Sequence, residues 1–546
     1  MLEGLMQDRP LLISSLIEHA ATFHPDGEIV SKLPEGTIHR THWKGVSDGA
    51  KQVANALARL GVGNGDRVAS LAWNSYRHLM LYYGVSGSGA VLNTVNPRLF
   101  VEQVEYIINH AGAKVVFFDS TFLPLVEKIA PQLGAVTHFV AMANRDGFPR
   151  TDMPGLLFWD ELVEQESTAY DWPQFDERSA SILCYTSGTT GNPKGVLASH
   201  RSLVLMSLAG LAPDVFGVSA FESILLIVPM FHASAWGVPF AAALAGSKLV
   251  LPGPHMDGES IYGMMRDEGV TASQGVPTVW MMLFSYLDAN PQLNPKDLGV
   301  KRIGVGGAQL GRFMLERFER DFGAIVSQGW GMTETNAIGV VNTLLPKHAD
   351  WDREDLVPVK LMQGRGLWGV DMKIIGPDGS TLPWDGISSG ALHVRGPWVA
   401  SGYFGGEGGD ILDEEGFFDT GDVAAISPDG YLRLVDRTKD VIKSGGEWIS
   451  SIDLENVAAG HPAIAEAAVI AVAHPKWQER PLLVVVRKLG QDVEKQELLD
   501  FVAARVAKWW APDDVVFVDS LPHTATGKIQ KNKLREQFGA HQLPTL

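Results

Sequence analysis

A segment suited to phosphate binding lies at residues 185–195, which read YTSGTTGNPKG. After Tyr185 it holds four hydroxyl side chains and three glycines, and Lys194 stands near its end. Backbone N–H groups, hydroxyl donors and one ammonium group together favour phosphate oxygens. The segment is not a Walker A loop, because no Gly-Lys-Ser/Thr follows at the required spacing. The apolar residues 181–184 before it predict a strand that positions the loop.

Two further segments follow predicted strands and carry groups that can bind a nucleotide. Residues 306–308 (GGA) lack bulky side chains, so a flat ring or a carboxylate can approach their backbone. Residues 328–334 (QGWGMTE) offer the aromatic face of Trp330 for stacking and the carboxylate of Glu334. Because Mg²⁺ prefers oxygen ligands and substrate phosphates, Glu334 is a candidate metal ligand.

Charged residues in the last quarter of the chain complete the set of candidates. Asp422 can accept hydrogen bonds from ribose hydroxyls, and Arg437 can donate to a ribose or phosphate oxygen. Residues 443–447 (KSGGE) predict a glycine turn beside a lysine. Lys528 also follows a glycine, but an isolated lysine is usually a solvated surface charge, so its function needs independent support.

A second glycine-rich segment, residues 364–369 (GRGLWG), matches the G-x-G-x-x-G pattern by letter. That pattern binds dinucleotides when it opens a helix directly after a strand. Here the apolar residues 370–375 that follow predict a strand. We therefore predict no dinucleotide site at this segment.

Alternating helix and strand patterns predict an α/β scaffold that positions these segments. Apolar residues at helical spacing predict helices at 43–60, 101–110 and 310–322. Short apolar runs predict strands at 67–73, 114–118, 224–228, 248–251, 302–305 and 325–326. This alternation is typical of parallel sheets covered by helices, whose ligands bind beyond the carboxyl ends of the strands.

The pattern changes near residue 436, where a smaller unit is predicted to begin. Apolar runs predict strands at 467–473, 482–486 and 515–518, and an amphipathic pattern predicts a helix at 494–508. Together these elements make a compact α+β unit with its own core. The predicted domains are therefore residues 1–436 and residues 437–546.

Composition narrows the functional classes. The chain has 546 residues and a net charge of −18, from 45 Lys+Arg and 63 Asp+Glu. An acidic chain is a poor general nucleic-acid binder, because phosphate neutralisation needs a basic surface. Its one cysteine excludes an intramolecular disulfide and fits a reducing cytoplasm, the expected location. The uncharged residues 223–247 include prolines and a histidine, so they predict a buried, cavity-lining segment and not a membrane span.

Taken together, these segments resemble the adenylate-forming superfamily of acyl-CoA synthetases, adenylation domains and beetle luciferases. The similarity covers essentially the whole chain in order, and residues 185–195 with 527–528 are its most specific motifs. It implies a large N-terminal domain of αβα layers with a β-barrel-like subdomain, and a small mobile C-terminal domain. It also implies an enzyme that uses ATP, Mg²⁺ and CoA with a small-molecule carboxylate.

The resemblance assigns functional residues position by position. The implied ATP site comprises Thr186, Ser187, Gly188, Thr189, Thr190, Lys194, Gly307, Ala308, Gln328, Gly329, Trp330, Gly331, Met332, Thr333, Asp422 and Arg437. The implied catalytic residues are Lys528, Glu334 and His232, and the implied metal ligands are Thr189 and Glu334. The implied acyl pocket comprises Phe231, His232, Trp236, Gly306 and Gly307. The implied CoA site comprises Lys443, Ser444, Gly445, Gly446 and Glu447, with Asp436 as the hinge. Most members have tyrosine at Trp330, so stacking is kept here and a phenol hydrogen bond is lost.

Within the superfamily, residues 229–237 (PMFHASAWG) and 442–450 (IKSGGEWIS) resemble the bacterial fatty-acyl-CoA ligases. That branch includes ligases for 3-(methylthio)propionate, and residues 330–333 and 523–528 are most similar to those. The implied function is an AMP-forming acyl-CoA ligase for a short-to-medium acyl carboxylate. A long-chain fatty-acyl-CoA ligase and an adenylation enzyme that loads a carrier protein stay open as alternatives, and so does a homodimer. A luciferase-like oxidase and a non-catalytic nucleotide-binding protein are less favoured.

Overall fold

The structure is a computed structural model that describes residues 1–2, 4–186, 192–445, 447–523 and 529–544. Within these residues, strands and helices alternate through two mainly parallel sheets, which an antiparallel extension and a separate C-terminal sheet follow. The predicted α/β class, with a large N-terminal domain and a smaller C-terminal domain, is confirmed.

The first sheet is built from the N-terminal part of the chain. The strands of this part of the chain are β1 Glu28–Lys32, β2 Ile38–His42, β3 Arg67–Leu71, β4 Val91–Thr94, β5 Ala113–Phe118, β6 His138–Ala141, β7 Leu157–Phe158, β8 Ala180–Tyr185 and β9 Gly195–Ser199. Of these, β1 and β2 belong to the second sheet. The helices are α1 Ile13–Phe23, α2 Trp43–Arg59, α3 Tyr76–Gly87, α4 Val101–Ala111, α5 Leu123–Ile129 and α6 Trp159–Leu162. Strands β7–β6–β5–β3–β4–β8 pair in parallel, and β9 pairs antiparallel with β8. Helices cover the sheet, so its central strands are apolar on both faces.

The second sheet places the candidate site residues at the ends of its strands. Its new strands are β10 Ser223–Leu226, β11 Lys248–Leu251, β12 Ala272–Gly275, β13 Arg302–Val305 and β14 Ile325–Trp330. Its helices are α7 His200–Leu211, α8 Val238–Ala245, α9 Gly258–Asp267, α10 Pro277–Ala289 and α11 Arg312–Arg317. Strands β1–β11–β10–β12–β13–β14 are parallel, and β2 pairs antiparallel with β1 at the edge. The carboxyl ends of β10, β12, β13 and β14 therefore meet at one edge.

Beyond β14 the same sheet continues into antiparallel strands. These are β15 Val340–Val341, β16 Gly364–Gly366, β17 Asp371–Ile375, β18 Ser389–Arg395, β19 Phe418–Ile426 and β20 Tyr431–Arg437, with helix α12 Arg353–Lys360. Their order is β14–β15–β16–β20–β19–β18–β17, with register shifts between β18 and β19 and between β19 and β20. The segment at 364–369 begins with β16, at residues 364–366, and is followed by β17 and not by a helix, which agrees with the prediction that it is not a dinucleotide turn.

The C-terminal unit has its own sheet and its own buried clusters. Its elements are β21 Ile442–Ser444, β22 Glu447–Ile449, α13 Ser451–Ala459, β23 Ile464–His474, β24 Gln478–Arg487, α14 Lys495–Ala503, β25 Asp514–Phe517 and α15 Lys531–Phe538. The order is β22–β21–β24–β23, and β25 pairs in parallel with β24. Strand β20 ends at Arg437, next to the predicted boundary at 436 and 437.

Two predicted helices are shorter than their apolar patterns. The pattern at 310–322 gives α11 and then a wider helical turn over 318–322. The pattern at 494–508 stops at Ala503. Arg480 donates to the carbonyl oxygens of Trp509 and Ala511, at 2.7 and 2.9 Å, so these groups are satisfied without a continuation of α14. No helix among the described residues is long and apolar enough to cross a membrane.

Candidate active site

A cavity of about 700 Å³ lies beyond the carboxyl ends of β10, β12, β13 and β14. Its opposite wall comes from residues 418–421, 437–440 and 529–532. Parallel sheets generally bind ligands at this edge, where the sequence predicted the site. Of the predicted site residues in the described chain, those that line the cavity are Thr186, Lys194, Phe231, His232, Trp236, Gly306, Gly307, Gln328, Gly329, Trp330, Gly331, Met332, Thr333, Glu334 and Arg437.

The remaining predicted residues are either away from the cavity wall or outside the described chain. Ala308, Asp422, Asp436, Lys443, Ser444 and Gly445 are described but do not line the cavity. Ser187, Gly188, Thr189, Thr190, Gly446, Lys528 and the side chain of Glu447 lie outside the described residues. The assignments of Thr189 as a metal ligand and of Lys528 as a catalytic residue therefore stay predictions.

The two ends of the predicted phosphate loop are held together at the cavity. The N–H of Thr186 donates to the carbonyl of Lys194 at 2.9 Å, and the N–H of Lys194 donates to the Thr186 hydroxyl at 3.2 Å. These bonds continue the antiparallel pairing of β8 with β9. The loop thus joins two strands of a hairpin, which agrees with the prediction that it is not a Walker A loop, where a helix follows.

Glu334 is buried in the cavity wall and contacts Tyr403. The Tyr403 hydroxyl donates to Oε1 of Glu334 at 2.7 Å. On its other side, the Tyr403 ring lies beneath Nζ of Lys194, 4.8 Å from the ring centroid. Burial, and then the charge of Glu334, raises the pKa of Tyr403, so the phenol stays protonated. Tyr403 therefore links the candidate metal ligand to the candidate phosphate-binding lysine.

Trp330 takes part in a hydrogen bond that the sequence did not reveal. Its indole N–H donates to Oδ2 of Asp422 at 2.9 Å. Arg437 pairs with Oδ1 of the same carboxylate at 2.8 Å. Gly339 makes room for the indole, because a Cβ there would lie 2.5 Å from the ring. Both oxygens of the candidate ribose ligand are thus oriented by residues that line the cavity.

Trp236 closes the apolar side of the cavity against the backbone of Gly306. A Cβ on Gly306 would lie 2.8 Å from the Trp236 ring, so a larger residue would displace the indole. Phe231, Met256 and Val279 extend this apolar wall. The wall suits an apolar ligand group, because burying such a group removes its surface from water.

An unusual backbone holds Trp236 in place. Residues 233–236 have φ angles between 42° and 55°, a left-handed conformation. For residues other than glycine, this conformation costs about 1–2 kcal/mol each, so the surroundings have to stabilise it. Asn74 anchors the segment before the turn: its amide donates to the carbonyls of Leu226 and Val228, and its oxygen accepts from the N–H of Met230. His232, just before the turn, accepts from the N–H of Ala235 through its carbonyl at 3.0 Å.

The C-terminal unit carries two segments with predicted functions, residues 443–447 and the segment that ends at Lys528. Residues next to the second of them line the cavity. Ile529 and Lys531 line the cavity, and Lys528 directly precedes Ile529 in the sequence. His523 and Ile529 form an antiparallel bridge on either side of residues 524–528. Lys443 is exposed and does not line the cavity. The described arrangement thus presents the neighbourhood of Lys528, and not that of Lys443, to the cavity.

The predicted hinge residue, Asp436, is buried and fully engaged. Its carboxylate accepts from the N–H of Arg437 at 2.7 Å and from the N–H and hydroxyl of Ser451 at 2.7 and 2.5 Å. Lys531 donates to the Ser451 hydroxyl at 2.5 Å and pairs with Glu455 at 2.7 Å. Burial raises the pKa of Asp436. The junction is therefore tied to α13 and, through Lys531, to α15.

Sequence reasoning missed several cavity residues. Arg98, Lys439, Lys531 and Arg535 also line the cavity, where Lys531 pairs with Glu455 at 2.7 Å and Arg535 pairs with Asp440 at 2.6 Å. The guanidinium of Arg98 lies over the rings of Trp73 and Phe231, 5.4 and 5.9 Å from their centroids. One sequence pattern could have pointed to Tyr403. It lies in the glycine-rich run GYFGGEGG at 402–409, which is typical of a loop that approaches other backbone closely.

The carboxylate of Glu334 could bind a magnesium ion that is also held by the phosphates of a nucleotide. Among the described residues, no group of three or more His, Cys, Asp or Glu side chains can hold a metal ion. Glu334 nevertheless supplies a buried carboxylate beside the ends of the phosphate loop. Mg²⁺ is commonly held by one or two carboxylates together with substrate phosphates, and this donor set suits such binding.

Comparisons with known proteins place these features in a family. The sequence profile described as AMP-binding enzyme matches residues 17–404, and the AMP-binding enzyme C-terminal domain matches residues 453–528. A 3-methylmercaptopropionyl-CoA ligase from Ruegeria lacuscaerulensis is 49% identical over 535 residues, covering 98% of each chain. A medium-chain-fatty-acid–CoA ligase from Ectopseudomonas oleovorans is 46% identical over 536 residues, covering 98% of this chain and 97% of that protein.

The fold also matches solved structures of related enzymes. The crystal structure of the anthranilate CoA ligase AuaEII in complex with anthranoyl-AMP superposes with a TM-score of 0.85. The two chains are 25% identical, and the match covers 97% of this chain and 99% of that one. The similarity thus extends over both the large and the small domain.

Proposed function

The chain belongs to the AMP-binding enzyme family, and on that premise we propose that it is an AMP-forming acyl-CoA ligase for short-to-medium-chain carboxylates such as 3-(methylthio)propionate. In the first step, a carboxylate oxygen attacks the α-phosphate of ATP, giving acyl-AMP and pyrophosphate. In the second, the CoA thiolate attacks the acyl carbon and AMP leaves. The observation that carries the proposal is one cavity that joins Thr186, Lys194 and Glu334 to an apolar wall around Trp236.

The side chains of the cavity are assigned to positioning and charge stabilisation, because this chemistry needs little covalent help from the protein. Lys194 and the hydroxyls of the phosphate loop hold the β- and γ-phosphates. Trp330 stacks on the adenine, and Asp422 and Arg437 hold the ribose. Mg²⁺ bound with ATP at Glu334 would neutralise phosphate charge. Lys528 offsets the repulsion between the incoming carboxylate and the α-phosphate.

The second step, in which CoA reacts with acyl-AMP, is assigned to residues 443–447 of the small domain. Rotation of the small domain about Asp436 would bring Lys443 and the glycines at 445 and 446 to the cavity. Because glycines have no side chains, the pantetheine arm of CoA could pass close to their backbone. The outward position of Lys443 supports an arrangement suited to the first step. A cytoplasmic location is proposed with this function, and the single buried cysteine fits it. A homodimer stays a prediction.

The apolar wall around Trp236 favours a substrate with an apolar acyl group of limited length. Phe231, Met256 and Val279 offer no charge to a polar amino acid substrate, whose ammonium group would need an acidic partner. Trp236 lies against Gly306 and closes this side. An assay of free-CoA consumption across C2–C16 acids and 3-(methylthio)propionate tests the proposal. No CoA consumption with any acid would overturn it.

Replacing Trp236 with alanine is expected to move the chain-length optimum upward. The substitution removes a large apolar wall, and each further CH₂ that a longer acid buries is worth about 0.8 kcal/mol. The measurement is kcat/KM across the series of acids. The control is Trp368→Ala, since Trp368 is 78% exposed and away from the cavity. An unchanged length profile in Trp236→Ala would show that this residue does not border the acyl group.

Replacing Trp330 with phenylalanine is expected to raise the KM for ATP about tenfold, the cost of one hydrogen bond to a charged acceptor. Phenylalanine keeps a stacking face but removes the N–H that orients Asp422. The preference for ATP over 2′-deoxy- and 3′-deoxy-ATP should shrink as well. Trp43→Phe is the control, because it removes a buried indole hydrogen bond, to Ser247, outside the cavity. Undiminished discrimination in Trp330→Phe would contradict the assigned contact.

Two alternatives keep some support. The long-chain-fatty-acid–CoA ligase of Thermus thermophilus is 43% identical over 536 residues, so an optimum at long acids in the same assay would favour that function. An enzyme that loads a carrier protein would form acyl-AMP but would not consume free CoA. Free-CoA consumption measured together with pyrophosphate release therefore separates all three functions.

A further inference from the structure

Tyr403 touches two charged groups that belong to separate motifs. Its hydroxyl donates to Oε1 of Glu334 at 2.7 Å, and its ring lies under Nζ of Lys194 at 4.8 Å. All three residues line the cavity. Tyr403 lies in the loop between β18 and β19, whereas Lys194 lies at the end of the phosphate loop and Glu334 follows β14. The contact is thus a tertiary one.

A lysine and a glutamate on one cavity wall attract each other, particularly when the carboxylate is buried. If they paired, the ammonium would be withdrawn from phosphate oxygens and the carboxylate from a metal ion. In the described parts of the chain, neither Lys194 nor Glu334 forms an ion pair. Tyr403 instead gives each of them a neutral partner, a hydroxyl for the carboxylate and a ring face for the ammonium.

The loop that carries Tyr403 is packed to hold it there. A Cβ at Gly408, whose φ is +81°, would lie 3.3 Å from Nζ of Lys194 and 3.5 Å from the Tyr403 ring. A Cβ at Gly195 would lie 2.9 Å from that of Phe404. The loop therefore wraps closely around the lysine and around the start of β9, and glycines permit both approaches.

We infer that Tyr403 is a positioning residue that keeps Lys194 and Glu334 apart, so that both stay available to the nucleotide and its metal ion. The inference rests on the proposed function, because it takes Lys194 as a phosphate ligand and Glu334 as a metal ligand. The hydroxyl engages Oε1 alone, so Glu334 keeps a second oxygen for the ion. Tyr403 itself takes no part in the chemistry.

The test measures ATP binding by calorimetry in EDTA, where no metal ion contributes. Tyr403→Leu should weaken binding about tenfold, because Lys194 can then pair with Glu334. Adding Glu334→Gln to Tyr403→Leu should restore binding about tenfold, since the competing carboxylate charge is gone. In the parent protein, Glu334→Gln should improve binding by no more than about threefold, through lost repulsion of phosphate. Tyr403→Phe keeps the ring beneath Lys194, so its loss in EDTA should be smaller than that of Tyr403→Leu.

The double-mutant comparison separates positioning from a merely structural role. An equal gain from Glu334→Gln in the parent protein and in the Tyr403→Leu variant, or no loss in Tyr403→Leu, would overturn the inference. Melting temperatures of all variants identify any that fail to fold, and Tyr403→Phe then carries the same comparison with Glu334→Gln. ATP–pyrophosphate exchange by the parent protein tests the proposed function separately. Its absence would reject the ligase assignment, while the binding comparison would still decide whether Tyr403 separates the two charges.

Discussion

Replacing Lys528 with alanine is expected to slow acyl-adenylate formation by about two to four powers of ten, comparable with losing one preorganised charge-stabilising donor. Lys528 is assigned to the contact between the attacking carboxylate and the α-phosphate, where negative charge accumulates. Its neighbour Ile529 lines the cavity, so the described arrangement brings this part of the small domain to the site. Thioester formation from supplied acyl-AMP should be largely unaffected, because the α-phosphate has by then been transferred.

The matched control is Lys443→Ala, on the same small domain. Lys443 is exposed and away from the cavity, so this variant should form acyl-AMP at near the parent rate. It should slow the thioester step instead. The two half-reactions are measured separately, by pyrophosphate release and by consumption of supplied acyl-AMP with CoA. If both variants impair both steps equally, two successive arrangements of the small domain do not explain the reaction.

Replacing Glu334 with alanine is expected to lower ATP–pyrophosphate exchange at least about 100-fold, because a metal ligand supplies several kcal/mol of charge stabilisation. Glu334 is buried in the cavity wall, and Tyr403 holds one of its oxygens. The Mg²⁺ concentration for half-maximal exchange should rise as well. This shift separates the loss of a metal ligand from a general loss of active protein.

Glu407→Ala is the matched control for Glu334→Ala. Glu407 also accepts from a tyrosine hydroxyl, that of Tyr106 at 3.1 Å, but it does not line the cavity. Its exchange rate should stay within about threefold of the parent. Both variants are compared by thermal unfolding, since each leaves a tyrosine hydroxyl without its acceptor. Near-parental exchange in a folded Glu334→Ala protein would reject the metal assignment.

Local patterns determined much of this protein from the sequence alone. Hydroxyls, glycines and a lysine within residues 185–195 predict a phosphate loop because each group acts through its own type and spacing. Apolar runs such as 248–251 and 302–305 predict strands, and the structure places β11 and β13 at those bounds. The rule that ligands bind beyond the carboxyl ends of parallel strands then brings residues 306–308 and 328–334 to one edge.

Contacts between distant segments were beyond the sequence. The substitution of tryptophan for tyrosine at 330 suggested a lost hydrogen bond, yet the indole N–H bonds to Asp422, 92 positions away. The segment that leads into the left-handed turn at 233–236 is held by Asn74, whose side chain bonds to the backbone about 150 residues further along. Neither pattern is visible in local spacing, because the Trp330 bond joins β14 to β19 of one sheet, and the Asn74 bonds join a residue after β3 of the first sheet to the end of β10 in the second.

The sequence therefore determined which chemical groups the site contains, and the tertiary structure decided how they are held. Composition and spacing identify Lys194 and Glu334 as charged groups that follow glycine-rich segments. Only the fold places the Tyr403 ring beneath one of them and its hydroxyl on the other. The physical reason is that a residue's type is set locally, whereas distance, burial and the dielectric around a charge arise when remote elements pack together.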